Sequence, residues 1–172
     1  MPLHDASGRV ADPWVRLDPG QTAPADARVI LDFARLEAEG PPPAAALGAH
    51  VPPDQDPRAL IPWHARLALI SVAFPSFADG RGFSLARRIR ATGFRGELRA
   101  TGPVIADQFP ALLGVGFDTV EIPEALAARQ PEADWKAALA VQGLAYQPGF
   151  SGRDSILEAR RAARRAAQAA GA

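Results

Sequence analysis

The chain has 172 residues, of which 48% are hydrophobic, a formal net charge of +0 and no cysteine. This length suits one domain with tails and is sufficient to bury a real core. Zero net charge leaves no overall field that would hold the protein on nucleic acid or on a membrane surface. The lack of cysteine excludes disulfides, thiolate-ligated zinc, cysteine-ligated iron–sulfur clusters and a cysteine nucleophile.

The first residues, Met1 to Asp5, are polar and lack the basic-then-apolar layout of a signal peptide. No apolar run approaches the ~20 residues that a membrane helix needs. We therefore expect a cytoplasmic protein that binds neither nucleic acid nor membranes. No motif in the sequence indicates a cofactor.

The N-terminal part of the chain is predicted to hold one strand between two irregular segments. Residues 1–27 are rich in Pro, Asp and Gly, and we expect an arm that docks through Trp14. The first strong β pattern covers residues 28–33, which are mostly apolar and bounded by turn-forming residues. Within residues 44–62, the run Val51-Pro-Pro-Asp-Gln-Asp-Pro57 is predicted to be an irregular surface connection.

Strands and helices alternate through the rest of the chain. The predicted strands cover residues 66–74, 96–101 and 117–122, and the predicted helices cover residues 83–92, 104–113 and 135–145. Strands separated by helices of roughly ten residues predict βαβ units and a parallel sheet. We therefore expect one α/β domain over residues 28–150. Its sheet should be small and mostly parallel, with about four strands, and either open or part of a barrel. Residues 151–172 are predicted to be a helical or disordered tail.

The loop that follows the strand at residues 66–74 has the features of a functional site. Sites in α/β proteins lie at the carboxyl ends of parallel strands, and this loop contains Asp79-Gly80-Arg81-Gly82. Its glycines permit close backbone approach, and the free amides of the next helix favour an anion. Together with Arg81 and Arg87, they predict a site for an anion of the size of sulfate, sulfite or phosphate. The open alternative is that Asp79 or Ser84 only caps the helix.

A second group of polar residues follows on the next strand. Arg99 lies near the strand's end, and Asp107 and Gln108 come after it, so on a parallel sheet they would converge on the edge that carries Arg81. Glu97 and Arg99 share one face because their spacing is two, which leaves an internal ion pair as the alternative. We predict no metal site, since the histidines have no metal-ligand spacing and are expected on the surface or in loops. They are His4, His50 and His64.

Three strings of residues resemble one bacterial family. They are Phe74-Pro-x-Phe-x-Asp-Gly-Arg-Gly-Phe-Ser-x-Ala-Arg87, Gly93-Phe-Arg-Gly-Glu-Leu-Arg-Ala-Thr-Gly102 with Asp107-Gln108, and Gly116-Phe-Asp118. From about Trp14 to Pro148 the chain resembles the family named domain of unknown function 934. That family is often labelled a probable oxidoreductase involved in sulfite reduction, because its genes lie beside those of assimilatory sulfite reductase, a siroheme and iron–sulfur enzyme. The resemblance implies a role in sulfite reduction, with sulfite reductase as the partner.

The resemblance also marks candidate residues in both polar groups. The candidates for catalysis are Asp79 and Arg81. The candidates for anion binding are Gly80, Arg81, Gly82, Ser84, Arg87 and Arg99, and the supporting residues are Phe74, Pro75, Phe77, Glu97, Asp107 and Gln108. Family members usually have lysine, tyrosine and arginine where this chain has Ser76, Phe83 and Ala106. Two positive charges and a hydroxyl are thereby lost near the loop.

Three functions remain open from the sequence. The first is an accessory protein of assimilatory sulfite reduction that acts with sulfite reductase. The second is a small enzyme in which Asp79 is the acid and base and the arginines hold an anionic substrate. The third is a structural interaction module in which Asp79 and Arg81 pair with each other. We favour the first, because the lack of cysteine argues against independent electron transfer and fits delivery, assembly or docking.

Overall fold

Short apolar segments separated by turn-forming residues give eight strands in the part of the chain that the computed structural model describes, residues 1–141. The strands are β1 (Leu3–Asp5), β2 (Gly8–Val10), β3 (Trp14–Arg16), β4 (Arg28–Asp32), β5 (Ala46–Val51), β6 (Leu67–Ala73), β7 (Glu97–Thr101) and β8 (Thr119–Glu121). The α-helices are α1 (Phe33–Glu39), α2 (Arg81–Ala91), α3 (Phe109–Val115), α4 (Glu124–Ala127) and α5 (Glu132–Val141). Short 3₁₀ helices cover Pro57–Trp63 and Ala106–Gln108.

All eight strands belong to one sheet, in the order β2-β1-β8-β7-β6-β5-β4-β3. Strands β3 to β8 run parallel to one another, whereas β1 is antiparallel to both β2 and β8. The prediction of an α/β fold is confirmed. The prediction of a small, mostly parallel sheet of about four strands is wrong, because the sheet has eight strands and is only partly parallel. Three of the missed strands have three residues each, too few to show a periodic pattern.

The link between β2 and β3 shows how strongly this sheet is curled. These strands form its two edges, yet only Ala11, Asp12 and Pro13 connect them. Such a link spans at most about 14 Å. In a flat sheet of eight strands the edges would lie about 34 Å apart, since neighbouring strands are ~4.8 Å apart. The sheet is therefore an open, strongly curled structure, which we call the half-barrel.

The outer face of the half-barrel forms the main hydrophobic core. Every second residue of the central strands points outward, as Ile70 and Val72 of β6 and Leu98 and Ala100 of β7 do, and all four are 0% exposed. The helices cover this face with apolar residues, which are Phe33 and Leu36 of α1, Leu85, Ala86 and Ile89 of α2, Phe109, Leu112 and Leu113 of α3, and Trp135 of α5. Burial of this layer is the main force that holds helices and sheet together.

The inner face carries a small apolar cluster and many polar side chains. Trp14, Ile30 and Leu69 pack against one another there, apart from the main core. Arg16 of β3 reaches Glu121 of β8, with 3.4 Å between Nη2 and Oε2, although four strands separate them in the sheet. This contact across the curl identifies the inner face. Because parallel strands end on one side, we call the carboxyl end of the inner face the mouth of the half-barrel.

Arg99 is the centre of the polar inner face and is 0% exposed. Its Nη1 and Nη2 donate to the two carboxylate oxygens of Asp12 at 2.7 and 3.0 Å, a bidentate pair that fixes orientation as well as distance. Nε and Nη2 also donate to Oε1 of Glu97, and Oε2 of Glu121 lies 3.6 Å from Nη1. Arg99 thus ties the link between the edge strands to β7 and β8.

Residues 1–27, expected to be an arm, supply β1, β2 and β3 to the sheet. Residues 46–51, where no strand is predicted, form β5 in the middle of the sheet. The helix predicted over residues 104–113 begins as the 3₁₀ turn at Ala106–Gln108, and α3 then has Pro110 in its first turn, where a missing amide hydrogen costs nothing. The predicted tail at residues 151–172 lies outside the described residues.

We expect Arg99→Met to destabilise the protein by about 3–5 kcal/mol, because it leaves buried carboxylates without their cation. Urea unfolding followed by circular dichroism measures this change. Lys136→Met is the matched control, since Lys136 forms an exposed pair with Glu132 and should leave the midpoint nearly unchanged. Equal midpoints for both variants would contradict the structural role of Arg99.

Candidate functional site

The loop predicted to be functional lies at the carboxyl end of β6, where the sequence placed it. Phe74 anchors its start, because its ring is 2% exposed and its amide donates to the carbonyl oxygen of Thr101 on β7 at 2.8 Å. The ring packs against Phe83 and Phe117 with centroid separations of 5.6 and 5.8 Å. Residues 75–78 are exposed, and α2 begins at Arg81, two residues earlier than predicted.

Asp79 and Arg81 form a close ion pair with each other. Nη2 of Arg81 donates to Oδ2 of Asp79 at 2.6 Å, and Nε donates to Oδ1 at 3.0 Å. The backbone amide of Arg81 also donates to Oδ1 at 3.0 Å, so Asp79 caps the start of α2. Hydrogen bonds from the Arg81 side chain and amide hold the pKa of Asp79 below its ordinary value. Asp79 is therefore a carboxylate at neutral pH, which suits it poorly to act as a general acid.

The three arginines expected to hold an anion lie in two separate places. Arg81 and Arg87 are exposed, as is Ser84, and these residues lie along α2 at intervals of three residues. Arg99 lies on the inner face of the half-barrel among Asp12, Glu97 and Glu121. The structure therefore does not bring Arg99 together with Arg81. It does pair Glu97 with Arg99, which is the alternative that their spacing allowed.

Gln108 joins the second predicted group to the loop. Its Nε2 donates to the carbonyl oxygen of Phe77 at 2.7 Å, and its Oε1 accepts from the amide of Ile105 at 3.2 Å. These bonds hold the backbone of the loop against the β7–α3 connection. The ring of Phe77 nevertheless points into solvent and is 59% exposed. The sequence predicted that this loop lies near the residues that follow β7, and Gln108 is the residue that contacts it.

A groove of about 690 Å³ lies beside Phe77. Its walls come from the β7–α3 connection and from the segment that includes α4 and α5, and its polar lining residues are Asp107, Arg129, Gln130 and Asp134. Oε1 of Gln130 accepts from the amide of Ala106 at 2.6 Å, while its buried Nε2 has no hydrogen-bond partner among residues 1–141. We call Phe77 and the polar groove residues Asp107, Arg129 and Gln130 the Phe77 surface.

A further set of polar residues at the mouth was not predicted. Arg16, His50, Ser71, Thr101 and Glu121 lie on five different strands and are joined by hydrogen bonds. Ser71 could have indicated this set from the sequence, because it carries the one hydroxyl group in the otherwise apolar strand β6. His50 was assigned to a loop or to the surface, but it lies in β5 and is partly buried.

The structure adds two findings on other classes of site, both limited to residues 1–141. No group of three or more His, Asp or Glu side chains there could hold a metal ion. No helix in that part of the chain has the length and apolar character needed to cross a membrane.

Gly82→Ala should destabilise the protein by about 1–3 kcal/mol, because the added methyl group would overlap the buried Phe74 ring. Thermal unfolding provides the measurement. Gly80→Ala is the matched control, since a Cβ there meets nothing within 4 Å. A Gly82→Ala variant as stable as Gly80→Ala would show that the loop is not packed in this way.

We expect Arg81→Met to raise the pKa of Asp79 toward its ordinary value, because the guanidinium and its hydrogen bonds are removed. A ¹³C NMR titration of the carboxyl carbons measures this. A depressed pKa stabilises the folded state above the ordinary pKa, and this contribution disappears as the pH falls through the folded-state pKa. Arg81→Met should therefore lack this loss of folding stability at acid pH, whereas Arg87→Met should show it as the wild-type protein does. An unchanged pKa in Arg81→Met would rule out the ion pair in solution.

Comparisons with known proteins identify the family. Residues 48–157, which are 110 of the 172 residues, match the family described as "Bacterial protein of unknown function (DUF934)". No curated protein and no solved structure matches the chain. The matched range begins within β5 and includes β6 to β8, the loop Asp79-Gly80-Arg81-Gly82, which we call the Arg81 loop, and the groove beside Phe77. The chain thus belongs to the bacterial family of domain of unknown function 934.

Proposed function

We propose that this protein is an accessory protein of assimilatory sulfite reduction and that it binds sulfite reductase through the Phe77 surface. The link to sulfite reduction rests on the resemblance that the loop motif carries. The choice of surface rests on one observation, the exposure of Phe77 on a backbone that Gln108 holds in place.

An exposed aromatic ring that extends from a fixed backbone beside a groove is well suited to protein recognition. Aromatic residues supply much of the binding energy at interfaces when they enter a pocket of the partner. The Gln108 bond fixes the Phe77 backbone before binding, which reduces the conformational entropy lost on association. Asp107, Arg129 and Gln130 provide polar groups around the ring that can form specific hydrogen bonds.

The chain's role in this proposal is docking or delivery, and sulfite reductase carries the redox chemistry. The sequence has no cysteine that could hold an iron–sulfur cluster or form a catalytic thiolate. Electrons for the reduction of sulfite would therefore pass through the partner's own cofactors.

The enzyme hypothesis receives less support from the geometry. Asp79 already accepts four hydrogen bonds from Arg81, and the Arg81 fork is directed at Asp79. An incoming anion would have to displace this carboxylate. Catalysis by Asp79 and Arg81 stays a prediction, and so does the structural module in which the two residues only pair.

The proposal is tested by a pull-down from cells grown on sulfate. Sulfite reductase should be recovered with the wild-type protein, and Phe77→Ser should reduce recovery by about tenfold or more, which corresponds to ~1.4 kcal/mol or more of binding energy. Ile61→Ser is the matched control, because Ile61 is also a large exposed apolar residue, at 48%, but lies in the 3₁₀ helix before β6. Absence of sulfite reductase from the wild-type sample would contradict the partner, and equal recovery with Phe77→Ser would contradict the surface.

Growth of a deletion strain tests the pathway independently of the surface. The strain should grow poorly on sulfate or sulfite and normally on cysteine, since only the first two sources require sulfite reduction. Normal growth on all three sources would overturn the proposed function.

A further inference from the structure

The mouth of the half-barrel holds a chain of hydrogen bonds that crosses four strands. Nδ1 of His50 lies 3.0 Å from Oγ of Ser71, and Oγ of Ser71 lies 2.7 Å from Oγ1 of Thr101. Oγ1 of Thr101 donates to Oε2 of Glu121 at 3.2 Å. Ser71 is 0% exposed and Glu121 is 7% exposed, so the middle and the end of this chain are shielded from water.

The direction of each hydrogen bond follows from the carboxylate. Glu121 contacts two guanidinium groups, those of Arg16 and Arg99, and an ionised carboxylate can only accept. Thr101 gives its single hydroxyl hydrogen to Glu121 and must accept from Ser71. Ser71 therefore gives its own hydrogen to Thr101 and can only accept from His50.

This order fixes the tautomer of His50. Nδ1 carries the hydrogen that is donated to Ser71, so Nε2 of the neutral ring carries a lone pair. Burial, reinforced by the positive charge of Arg16, lowers the pKa of His50 to about 4, although Asp32 and Glu121 act in the opposite direction. The ring is thus neutral at physiological pH. Nε2 is not among the fully buried unpaired atoms and has no partner within residues 1–141.

The charges around the mouth are balanced. Asp12 and Glu97 lie at the opposite, amino end of the strands, so the carboxylates at the mouth are those of Asp32 and Glu121. The guanidinium groups of Arg16 and Arg99 contact Glu121, and these four side chains sum to a formal charge of zero with neutral His50. Such a mouth has no net charge that would attract an ion. The mouths of α/β barrels are also the usual place of their ligand sites.

We infer that the mouth of the half-barrel is a binding site for a small uncharged ligand that donates a hydrogen bond to Nε2 of His50. This site does not depend on the proposed partnership with sulfite reductase. His50 is the group that touches the ligand, and Ser71 and Thr101 are positioning residues that hold the tautomer.

The tautomer is tested by long-range ¹H–¹⁵N NMR of the full chain at pH 7. The wild-type protein should show a protonated Nδ1 and an unprotonated Nε2 on His50. Thr101→Val lets the Ser71 hydroxyl turn toward His50, so the Nε2-protonated form should gain population. Thr101→Ser keeps the hydroxyl and should retain the wild-type spectrum. Protonated Nε2 in the wild-type protein, which needs no variant to fold, would overturn the inference.

The ligand class is tested with three small probes added separately, which are glycerol, ethanolammonium and sulfite. Glycerol offers uncharged hydroxyl donors to Nε2 of His50, so it should shift the His50 ring signals in a saturable way. Thr101→Val should weaken that response, because a ring protonated at Nε2 has no lone pair there. Ethanolammonium should shift the same signals more weakly, because the positive charge of Arg16 lies near His50. Sulfite should leave them unchanged. A response to sulfite alone, or no response to glycerol, would overturn the ligand class.

Discussion

The buried guanidinium of Arg99 lies where the two edges of the sheet come together. A three-residue link joins β2 to β3, and Asp12 in that link forms a bidentate pair with Arg99. The same guanidinium contacts Glu97 and Glu121, so one cation balances carboxylates from the link, β7 and β8. A buried charge without such partners would be strongly destabilising. The curvature of the half-barrel and the pairing of Arg99 therefore depend on each other.

This curvature decides what the polar residues can do. On a flat sheet, Arg16 and Glu121 would lie far apart, and the hydroxyls of Ser71 and Thr101 would face solvent. The curl brings Arg16 to Glu121 and shields the hydroxyls, and low exposure strengthens each hydrogen bond. The Arg81 loop lies at the same end of the strands, but its ion pair is turned to solvent. The Phe77 ring is the feature of that loop most available to a partner.

The sequence predicted most of the part of the sheet that β6, β7 and β8 form. The run Leu67–Ala73 is apolar on both faces of the sheet apart from Ser71, and helices of ordinary length separate it from the next strands. The position of the Arg81 loop could be predicted because functional loops in α/β proteins follow the carboxyl ends of parallel strands. The strands of residues 1–16 could not be found, because three-residue segments form only by pairing with distant neighbours. The sequence did not reveal β5, because prolines lie on both sides of it and because its small residues Gly48 and Ala49 have low β propensity.

What the sequence by itself determined is the α/β class, the family, and the local chemistry of the Arg81 loop. These depend on hydrophobic periodicity, turn residues and contacts between residues two or three apart, and all of these involve residues that are close together in the sequence. Only the tertiary structure decided the number of strands, the burial of Arg99 and the grouping of His50, Ser71, Thr101 and Glu121. Those residues are separated by 20 or more positions, and the contacts of Ser71 span 21 and 30 positions. They meet because the strands β5 to β8 pair in a fixed register, which places His50 beside Ser71 and Thr101 beside Glu121.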